Sequence, residues 1–417
     1  MPRYLFTTWE GGGHVQPMLL AALELKDRGH SVLILSDICN ASDAAALGLH
    51  FLPWTKAPNQ TGKRREDDRL KDHEADNPLE VIHRLIERVM AGPAQAYAED
   101  TLSAIDTFRP DAVVTQELLL GVMAAAEARN LPLALFAANI WSLPTLPGVP
   151  PFGAGMLPAN SDDERAMHAM VTQMSRGFFQ VGLEELNAAR SHLGLEGLND
   201  LFAQLDAASL ILIASSRAFD FGPDPLPKPF AYAGPYLADP AWIELEAVPA
   251  GTAPLVLVSF SSLYQAQEAA LTNVIAALGR LPVRGLVTTG PTLDPAEFSH
   301  PDNVTVVRSA SHADLLKQAA VFVTHAGHGS TLRPLMAGVP LLCLPMGRDQ
   351  LDNAARVSAR GAGLRLAPDA GIEPITAALA ELLEDSRYRQ AAAALGEAIR
   401  ADQDQRSAAT LLEGLLT

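Results

Sequence analysis

Cysteine is almost absent from this sequence, and cationic residues are few. The 417 residues include two cysteines, Cys39 and Cys343, which lie in different halves of the chain. Two such residues cannot build a disulfide framework or a cysteine-rich zinc site, so we expect a reducing, cytoplasmic setting. Lysine and arginine number 31 against 48 aspartates and glutamates, a formal net charge of −17. A field of this sign repels nucleic acid and anionic membranes, and neither is expected as a partner.

Long hydrophobic runs are also missing. No segment approaches the roughly 20 apolar residues of a membrane span, and the N-terminus has too short an apolar stretch for a signal peptide. Hydrophobic residues nevertheless make up 48% of the chain and charged residues 19%. This composition and length predict two globular domains of ordinary size.

Short apolar runs alternate with helical patterns along both halves of the chain. "RYLFTT", "HSVLILSD", "PDAVVTQ" and "LPLALFAAN" read as buried strands before residue 216, and "PLVLVSFSS", "RGLVTTG", "NVTVVRS", "AAVFVTHAG" and "PLLCLPM" read as strands after residue 250. In the first helix, Pro17 fits the first turn and Gly29 serves as the stop. This alternation predicts an α/β fold with parallel strands and crossover helices in each half.

Two segments interrupt the alternation. The proline-rich stretch 217–240 is predicted to contain no regular element and to link the two halves. Lys63–Asp76, "KRREDDRLKDHEAD", which we call the charged segment, is dense in both signs and has no apolar stripe. We expect it to be a solvated, mobile loop rather than a partner-binding tail.

The stretch "THAGHGST", Thr324–Thr331, places glycines and small polar groups between a strand and a helix predicted to start near Ser330. Amide groups at a helix N-terminus, with hydroxyl and imidazole donors beside them, form a binding site for a diphosphate. A metal site would use His325 and His328 with His312 and Asp349, but neither a metal-binding helix motif nor a cysteine pair supports it. A plain structural turn is the third interpretation, and the diphosphate site is preferred.

A polar loop follows the next predicted strand, "PLLCLP". It contains Asp349, Gln350 and Asn353. Ligands of open α/β sheets bind at the carboxyl ends of the strands, and a carboxylate with an amide suits sugar hydroxyls, which both donate and accept. The alternative role for Asp349 is an N-cap of the following helix.

These residues carry a resemblance to a known family. The run "VRSASHADLLKQAAVFVTHAGHGSTLRPLMAGVPLLCLPMGRDQLDNA" resembles the donor-binding signature of the UDP-glycosyltransferases, glycosyltransferase family 1, and especially of the bacterial macrolide and natural-product enzymes. "GGGHVQPMLLAALELKDRGHSV" is similar to the family's opening motif. The resemblance implies a GT-B fold, in which two Rossmann-like domains face each other across a cleft. It also implies an inverting transfer from a nucleotide sugar to an acceptor hydroxyl, without a metal or another cofactor.

Site residues follow from the same resemblance. His14 matches the family's general base, and its titration near neutrality suits that role. The residues expected to bind the donor are Gly13, Ser262, His312, His325, Gly327, Gly329, Ser330, Thr331, Asp349, Gln350 and Asn353. An acceptor cleft is predicted in the first half, lined by Trp9, Phe136, Trp141, Phe152, Phe178 and Phe179, although ordinary core packing is the alternative for each. We expect an acceptor-binding domain at 1–216, a donor-binding domain at 241–400, and a C-terminal helix at 401–417 that returns to the first domain.

Two positions depart from the family pattern. Many relatives orient the catalytic histidine with an aspartate after the strand that corresponds to "AVVTQE", where this chain has Gln116 followed by Glu117. Glu117 is predicted to take that role; otherwise the base is weakened and phenols are favoured over alcohols. The tryptophan with which plant relatives stack the base is also absent, because Ser309 and Ala310 occupy its region. Uracil and thymine donors therefore both remain open.

Several functions stay open on this basis. The preferred one is a glycosyltransferase that uses UDP-glucose or another nucleotide sugar, acts on a lipophilic small molecule, and is a monomer or weak homodimer. A nucleotide-sugar epimerase or hydrolase would need no hydrophobic acceptor pocket, and a non-catalytic nucleotide-sugar-binding auxiliary protein would need no His14. An NAD-dependent oxidoreductase is disfavoured because "EGGGHVQP" lacks the GxGxxG spacing.

Overall fold

The first half of the chain forms a sheet of seven parallel strands. The computed structural model describes residues 1–237, 249–261, 263–405 and 407–417. The strands are β1 (Arg3–Thr7), β2 (Ser31–Ser36), β3 (His50–Pro53), β4 (Ala112–Thr115), β5 (Leu133–Ala137), β6 (Leu210–Ile213) and β7 (Phe230–Tyr232), in the order β3-β2-β1-β4-β5-β6-β7. The helices are α1 (Val15–Asp27), α2 (Ala41–Ala46), α3 (Pro78–Leu85), α4 (Ala94–Phe108), α5 (Leu120–Ala128), α6 (Asp162–Phe179) and α7 (Leu183–His192). Two apolar cores cover the two faces of the sheet.

The second half forms a separate parallel sheet of six strands. These are β8 (Leu255–Ser259), β9 (Arg284–Thr288), β10 (Val304–Val307), β11 (Ala319–Thr324), β12 (Leu341–Cys343) and β13 (Gly363–Arg365), in the order β10-β9-β8-β11-β12-β13. The helices are α8 (Glu268–Leu278), α9 (His312–Leu315), α10 (His328–Met336), α11 (Gln350–Ala359), α12 (Ile372–Glu384), α13 (Ser386–Gln405) and α14 (Ala408–Gly414). The predicted architecture of two Rossmann-like units is confirmed.

Both sheets reverse their winding direction at one point, and this places the functional loops. In the first sheet the reversal lies between β1 and β4, and in the second it lies between β8 and β11. Loops that leave such a pair of strands diverge to opposite faces, which opens a crevice at the carboxyl ends. His14 follows β1, and His325 follows β11, so each histidine sits at the crevice of its own sheet.

The predicted linker contains one regular element, so that part of the prediction was wrong. Residues Phe230–Tyr232 form strand β7, which pairs with β6 at the edge of the first sheet. An edge strand leaves one side of its backbone unpaired, which is the position where a proline-flanked segment is tolerated. The first sheet therefore extends beyond the predicted boundary at residue 216, and the last three residues of the predicted linker lie outside the described residues.

The chain ends on the first half, as predicted. Ala408, Ala409 and Leu412 of α14 are buried in the core that contains Tyr4 and α1. The Tyr4 hydroxyl donates to the Leu412 carbonyl oxygen (3.3 Å). Helix α13 thus carries the chain from the second half back to the first.

Within the described ranges of the chain, no helix is both long enough and apolar enough to span a bilayer.

Candidate active site

The glycine turn after β1 contacts the second half of the protein directly. Gly12 has a φ of +80°, and a Cβ atom at this position would lie 2.7 Å from Cδ1 of Leu263. The backbone carbonyl of Gly11 accepts a hydrogen bond from Nη1 of Arg348 (3.4 Å). A residue with a side chain would be strained at this φ and would push the two halves apart.

His14 lies at the end of this turn, at the N-terminus of α1. Its ring packs edge-on against Trp9, with 6.2 Å between the centroids. No described residue makes a hydrogen bond with the imidazole, although the backbone carbonyl of His14 has a partner. Burial lowers the pKa of His14 to about 4; Asp349 opposes this shift, whereas Arg348 and His328 reinforce it. His14 is therefore a neutral imidazole near pH 7, with both ring nitrogens available.

The prediction that Glu117 orients His14 was wrong. Glu117 is buried and accepts a hydrogen bond from the Ser142 hydroxyl (3.3 Å). Burial raises the pKa of this carboxyl to about 7. Gln116 does not orient the ring either, because its Nε2 donates to the backbone carbonyl of His14 (3.3 Å) and its Oε1 accepts from the Trp9 amide (3.5 Å). Gln116 thus fixes the backbone of the turn rather than the imidazole.

The second glycine turn connects β11 to α10. The helix begins at His328, two residues before the predicted start, with Gly327 as its N-cap. A Cβ atom on Gly327 would lie 2.6 Å from Nε2 of His325, so only glycine lets that imidazole approach the turn. The Ser330 hydroxyl donates to the Gly327 carbonyl (3.0 Å) and accepts from Thr324 (2.9 Å). The turn is therefore braced internally, and the first amides of α10 have no partner within the helix.

Two buried polar atoms around this turn have no partner in the protein. They are Nδ1 of His325 and Oγ1 of Thr331, whereas the side chains of His328 and Asn353 interact with each other. Buried polar groups without a hydrogen bond are rare because each costs about 1–3 kcal/mol. Two of them beside one helix N-terminus indicate a site built for a polar ligand.

The two histidines of this turn are neutral. Burial lowers the pKa of His325 to about 4 and also lowers the pKa of His328. Nε2 of His328 lies 3.1 Å from the carbonyl oxygen of Ala214, at the end of β6, and donates to it. His328 therefore links the second glycine turn to the first half, a role that the sequence did not suggest.

The polar loop before α11 lies beside both turns. Asp349 is half-buried and accepts a hydrogen bond from Nδ2 of Asn353 (2.8 Å), and it makes no side-chain cap with α11. Its charge acts on His14 and on His325. Gln350 is buried, and its amide bonds the backbone of Met346 (2.7 Å) and the side chain of Gln265 (2.9 Å). Of the predicted carboxylate–amide pair, only Asp349 faces the two glycine turns. One of its carboxylate oxygens makes no hydrogen bond with the described residues.

Four further residues were predicted to bind the donor: Ser262, His312, Gly13 and Gly329. Ser262 lies outside the described residues. His312 is half-buried at the start of α9 and packs edge-on against Phe322, with 5.8 Å between centroids. Gly13 is exposed, and Gly329 is half-buried in the first turn of α10. Within the described ranges, no group of three or more histidine, cysteine, aspartate or glutamate side chains is arranged to hold a metal ion.

The predicted acceptor residues do not form one cleft. Phe136 and Phe179 belong to the two cores of the first half, so the prediction was wrong for both. Trp141 and Phe152 line a cavity of about 10 Å³ between the halves, which has room for a water molecule and not for an aromatic ring. Phe178 lies on an open groove of about 400 Å³ between α3 and α6. Trp9 is the one aromatic side chain of this set that packs against His14.

Contacts between the halves involve residues that sequence patterns did not single out. The backbone amides of Gly153 and Gly155 donate to the carboxylate of Asp352 (2.5 and 2.8 Å). Asp220 of the predicted linker accepts from Nε and Nη2 of Arg356 (3.0 and 2.7 Å). Each pair unites residues more than 130 positions apart, so no local signal could have revealed them.

Comparison with known proteins agrees with this geometry. Residues 273–414 match the family described as "Erythromycin biosynthesis protein CIII-like, C-terminal domain". The 4'-demethylrebeccamycin synthase of Lentzea aerocolonigenes is 27% identical over 426 residues and covers 99% of each chain. The crystal structure of the glycosyltransferase of kitacinnamycin is similar at a TM-score of 0.80 and 22% identity, over 100% of this chain and 99% of that one.

A third similar protein has been solved with ligands. Spinosyn rhamnosyltransferase SpnG, complexed with thymidine diphosphate and with spinosyn aglycone, is similar at a TM-score of 0.69 and 20% identity over the whole of both chains. Structural likeness at this identity supports the fold alone, whereas the family match and the full-length relative support the enzyme class. With two facing Rossmann-like units and both glycine turns in place, this chain is a glycosyltransferase with the GT-B fold, and its second half matches the erythromycin CIII-like family.

Proposed function

We propose that this enzyme transfers a sugar, with inversion, from a nucleoside diphosphate sugar to a hydroxyl of a lipophilic small molecule, with His14 as the general base. The observation that carries the proposal is the imidazole of His14: it is neutral, lacks a hydrogen-bond partner, and lies at the contact between the halves. Such a group can accept the proton of an attacking hydroxyl. The acceptor oxygen then displaces the diphosphate from the anomeric carbon in a single step.

The second glycine turn is proposed to receive the diphosphate. Its helix N-terminus and the unpartnered donors of His325 and Thr331 would stabilise the negative charge that develops on the leaving group. Asp349, with its remaining carboxylate oxygen, would accept a hydrogen bond from a sugar hydroxyl. This scheme requires no metal ion, because the helix dipole and hydrogen-bond donors meet the charge of the diphosphate.

The donor base and the acceptor are proposed from chemistry and from the relatives together. The complex of SpnG with thymidine diphosphate supports a thymidine donor, and a uridine donor is the alternative. The complex of SpnG with spinosyn aglycone supports an aglycone acceptor. An imidazole with a low pKa is a weak base, so it assists acidic hydroxyls best. We therefore propose that phenolic hydroxyls react faster than aliphatic ones.

A direct assay tests the proposed function. The protein is incubated with UDP-glucose and with a TDP-sugar against a matched panel of phenols, aliphatic alcohols and macrolides, with and without EDTA, and sugar addition is measured by mass spectrometry. We expect addition to phenols, and equal turnover in EDTA. Absence of turnover together with absence of UDP and TDP binding in calorimetry would contradict the proposal. Loss of turnover in EDTA would contradict its metal-independent part.

The pH dependence of turnover is a sharper test of His14. The base must be unprotonated, so with a pKa of about 4 its activity should stay constant from pH 8 down to about 5.5 and fall below that. An unperturbed histidine would already be half protonated at about pH 6.5. The measurement is kcat/KM for the acceptor from pH 4.5 to 8, with one acceptor whose hydroxyl does not titrate in that range.

The pH profile is accompanied by a control for unfolding of the protein at low pH. The lowered pKa values of His14, His325 and His328 favour the folded state above the pKa of an unfolded histidine, and this stabilisation is lost as the pH falls below about 6.5. Circular dichroism at each pH therefore separates titration from unfolding. If activity falls with an apparent pKa of 6.5 or higher in protein that remains folded, the proposal that the base has a lowered pKa is contradicted.

A further inference from the structure

The charged segment Lys63–Asp76 lies against the second half instead of extending into solvent. Nε of Arg348 donates to Oδ2 of Asp72 at 2.5 Å, and these side chains are 23% and 13% exposed. The Tyr264 ring is covered from the same segment: the guanidinium of Arg65 lies 3.8 Å from the ring centroid, and His73 packs edge-on at 4.7 Å. The expectation of a solvated, mobile loop was therefore wrong.

The same segment is anchored to the first half at its centre. Nη2 of Arg69 donates to Oδ1 of Asp37 (2.5 Å), and Asp37 also accepts from the backbone amide of Glu10 (2.6 Å). Glu10 begins the glycine turn that ends at His14. Arg84 of α3 holds the segment from the other side through the Lys71 carbonyl (2.7 Å). Asp72 is thus presented to the second half from a braced position.

Arg348 occupies a position where a small displacement has chemical consequences. It immediately precedes Asp349, and its φ of 55° lies in the left-handed region, so its backbone conformation is held by its contacts. Its guanidinium also donates to the Gly11 carbonyl in the first glycine turn (3.4 Å). One side chain therefore joins the loop of Asp349, the turn of His14 and the charged segment.

We propose that Asp72 is a positioning residue for sugar transfer: by pairing with Arg348 it sets the placement of the Asp349 loop relative to His14. This inference rests on the proposed function, in which Asp349 holds the sugar and His14 removes the acceptor proton. The rate of a reaction depends steeply on the placement of its reacting groups, because a displacement of about 1 Å lowers the rate by up to about 100-fold. The pair is partly buried, unlike the exposed ion pairs that contribute little.

A second role for Arg348 makes the opposite prediction. A free guanidinium beside a diphosphate site would itself bind phosphate, and Asp72 would then compete with the donor for it. Removal of Asp72 would in that case lower the KM for the donor. If Asp72 positions the loop, its removal raises the KM for the donor, lowers kcat, or does both.

The kinetic test uses Asp72→Ala, Arg348→Ala and the double variant, with Glu66→Gln as the matched control. Glu66 belongs to the same segment, but it pairs with Arg64 in an exposed position (61% and 74% exposed). We expect each single variant to lower kcat/KM for the donor about 10-fold. The double variant should be no worse than Arg348→Ala, because that variant already lacks the contact that Asp72→Ala removes. Glu66→Gln should equal wild type. Unchanged kcat/KM in Asp72→Ala, or a lower donor KM, overturns the proposal.

A measurement independent of turnover keeps the inference separate from the proposed function. The segment contains five trypsin sites (Lys63, Arg64, Arg65, Arg69 and Lys71), and Arg348→Ala leaves all of them unchanged. We expect cleavage in the segment to be at least about 5-fold faster in Arg348→Ala than in wild type, since local opening governs proteolysis. Glu373→Ala, which removes an exposed pair with Arg280, should cleave like wild type. Equal cleavage in wild type and Arg348→Ala overturns the positioning contact even if the enzyme turns over.

If trypsin cleaves the segment more slowly in wild type than in Arg348→Ala, but wild type transfers no sugar, the contact stands and the proposed function fails. If wild type transfers sugar but Asp72→Ala is indistinguishable from it, the function stands and the positioning role fails.

Discussion

Replacement of His14 by alanine is expected to lower kcat by about 100-fold to 10,000-fold, the usual contribution of a general base. The binding of UDP or TDP should remain unchanged, because no described residue of the diphosphate site hydrogen-bonds the imidazole. Initial rates at saturating donor and acceptor measure the first effect, and calorimetry measures the second. The separation of turnover from binding distinguishes a lost base from a lost fold.

Two control variants sharpen this expectation. His300→Ala removes an exposed histidine from the second half and should leave kcat unchanged. Glu117→Gln should lower kcat far less than His14→Ala, because Glu117 contacts Ser142 and not the imidazole. Retention of more than half of the wild-type kcat by His14→Ala would remove His14 from the mechanism. A loss in Glu117→Gln as large as that in His14→Ala would restore the carboxylate to it.

The second large effect concerns stability. Asp220→Ala is expected to reduce the free energy of unfolding by about 3–5 kcal/mol, because it leaves the guanidinium of Arg356 buried without its counterion. Asp220 and Arg356 are both almost fully buried, and the carboxylate also accepts from the Tyr232 hydroxyl (3.0 Å). The midpoint of urea unfolding, followed by circular dichroism, measures the change. Since two-domain proteins need not unfold in one step, the midpoint of each transition is compared.

A matched control lies four residues away. Asp224 pairs with Arg217 in an exposed position (2.7 Å), and Asp224→Ala should change the free energy of unfolding by at most about 0.5 kcal/mol. The double variant Asp220→Asn/Arg356→Met should recover much of the lost stability, because it removes both buried charges together. A wild-type midpoint for Asp220→Ala would show that the pair contributes nothing to the contact between the halves.

The fold was accessible from sequence because its signals are local. Each buried strand is a short apolar run, each crossover helix has its own periodicity, and the glycine turns stand next to the strands they follow. "HSVLILSD" and "AAVFVTHAG" became β2 and β11 for that reason. Strand β7 was missed because three residues within a proline-rich segment carry no periodicity of their own; only pairing with β6 makes them a strand.

The candidate site divides in the same way. His14, His325 and Asp349 were identified by their turns and by resemblance, and the structure brings the charge of Asp349 to bear on both histidines. The predictions that Glu117 orients His14 and that Phe136 lines a cleft were wrong, because neither a family alignment nor the composition of a loop reveals which residues a side chain contacts. Phe136 faces the core beneath Tyr236, with 6.0 Å between centroids.

The sequence by itself determined two parallel α/β units, a glycine turn with a histidine after β1, and a glycine turn at a helix N-terminus after β11. Tertiary structure alone decided which residues meet between the units: Asp72 with Arg348, Asp352 with the amides of Gly153 and Gly155, and Asp220 with Arg356. The physical reason is distance along the chain. Hydrophobic periodicity and turn chemistry act over a few residues. A contact between residues more than 130 positions apart exists only after both sheets have formed and packed together.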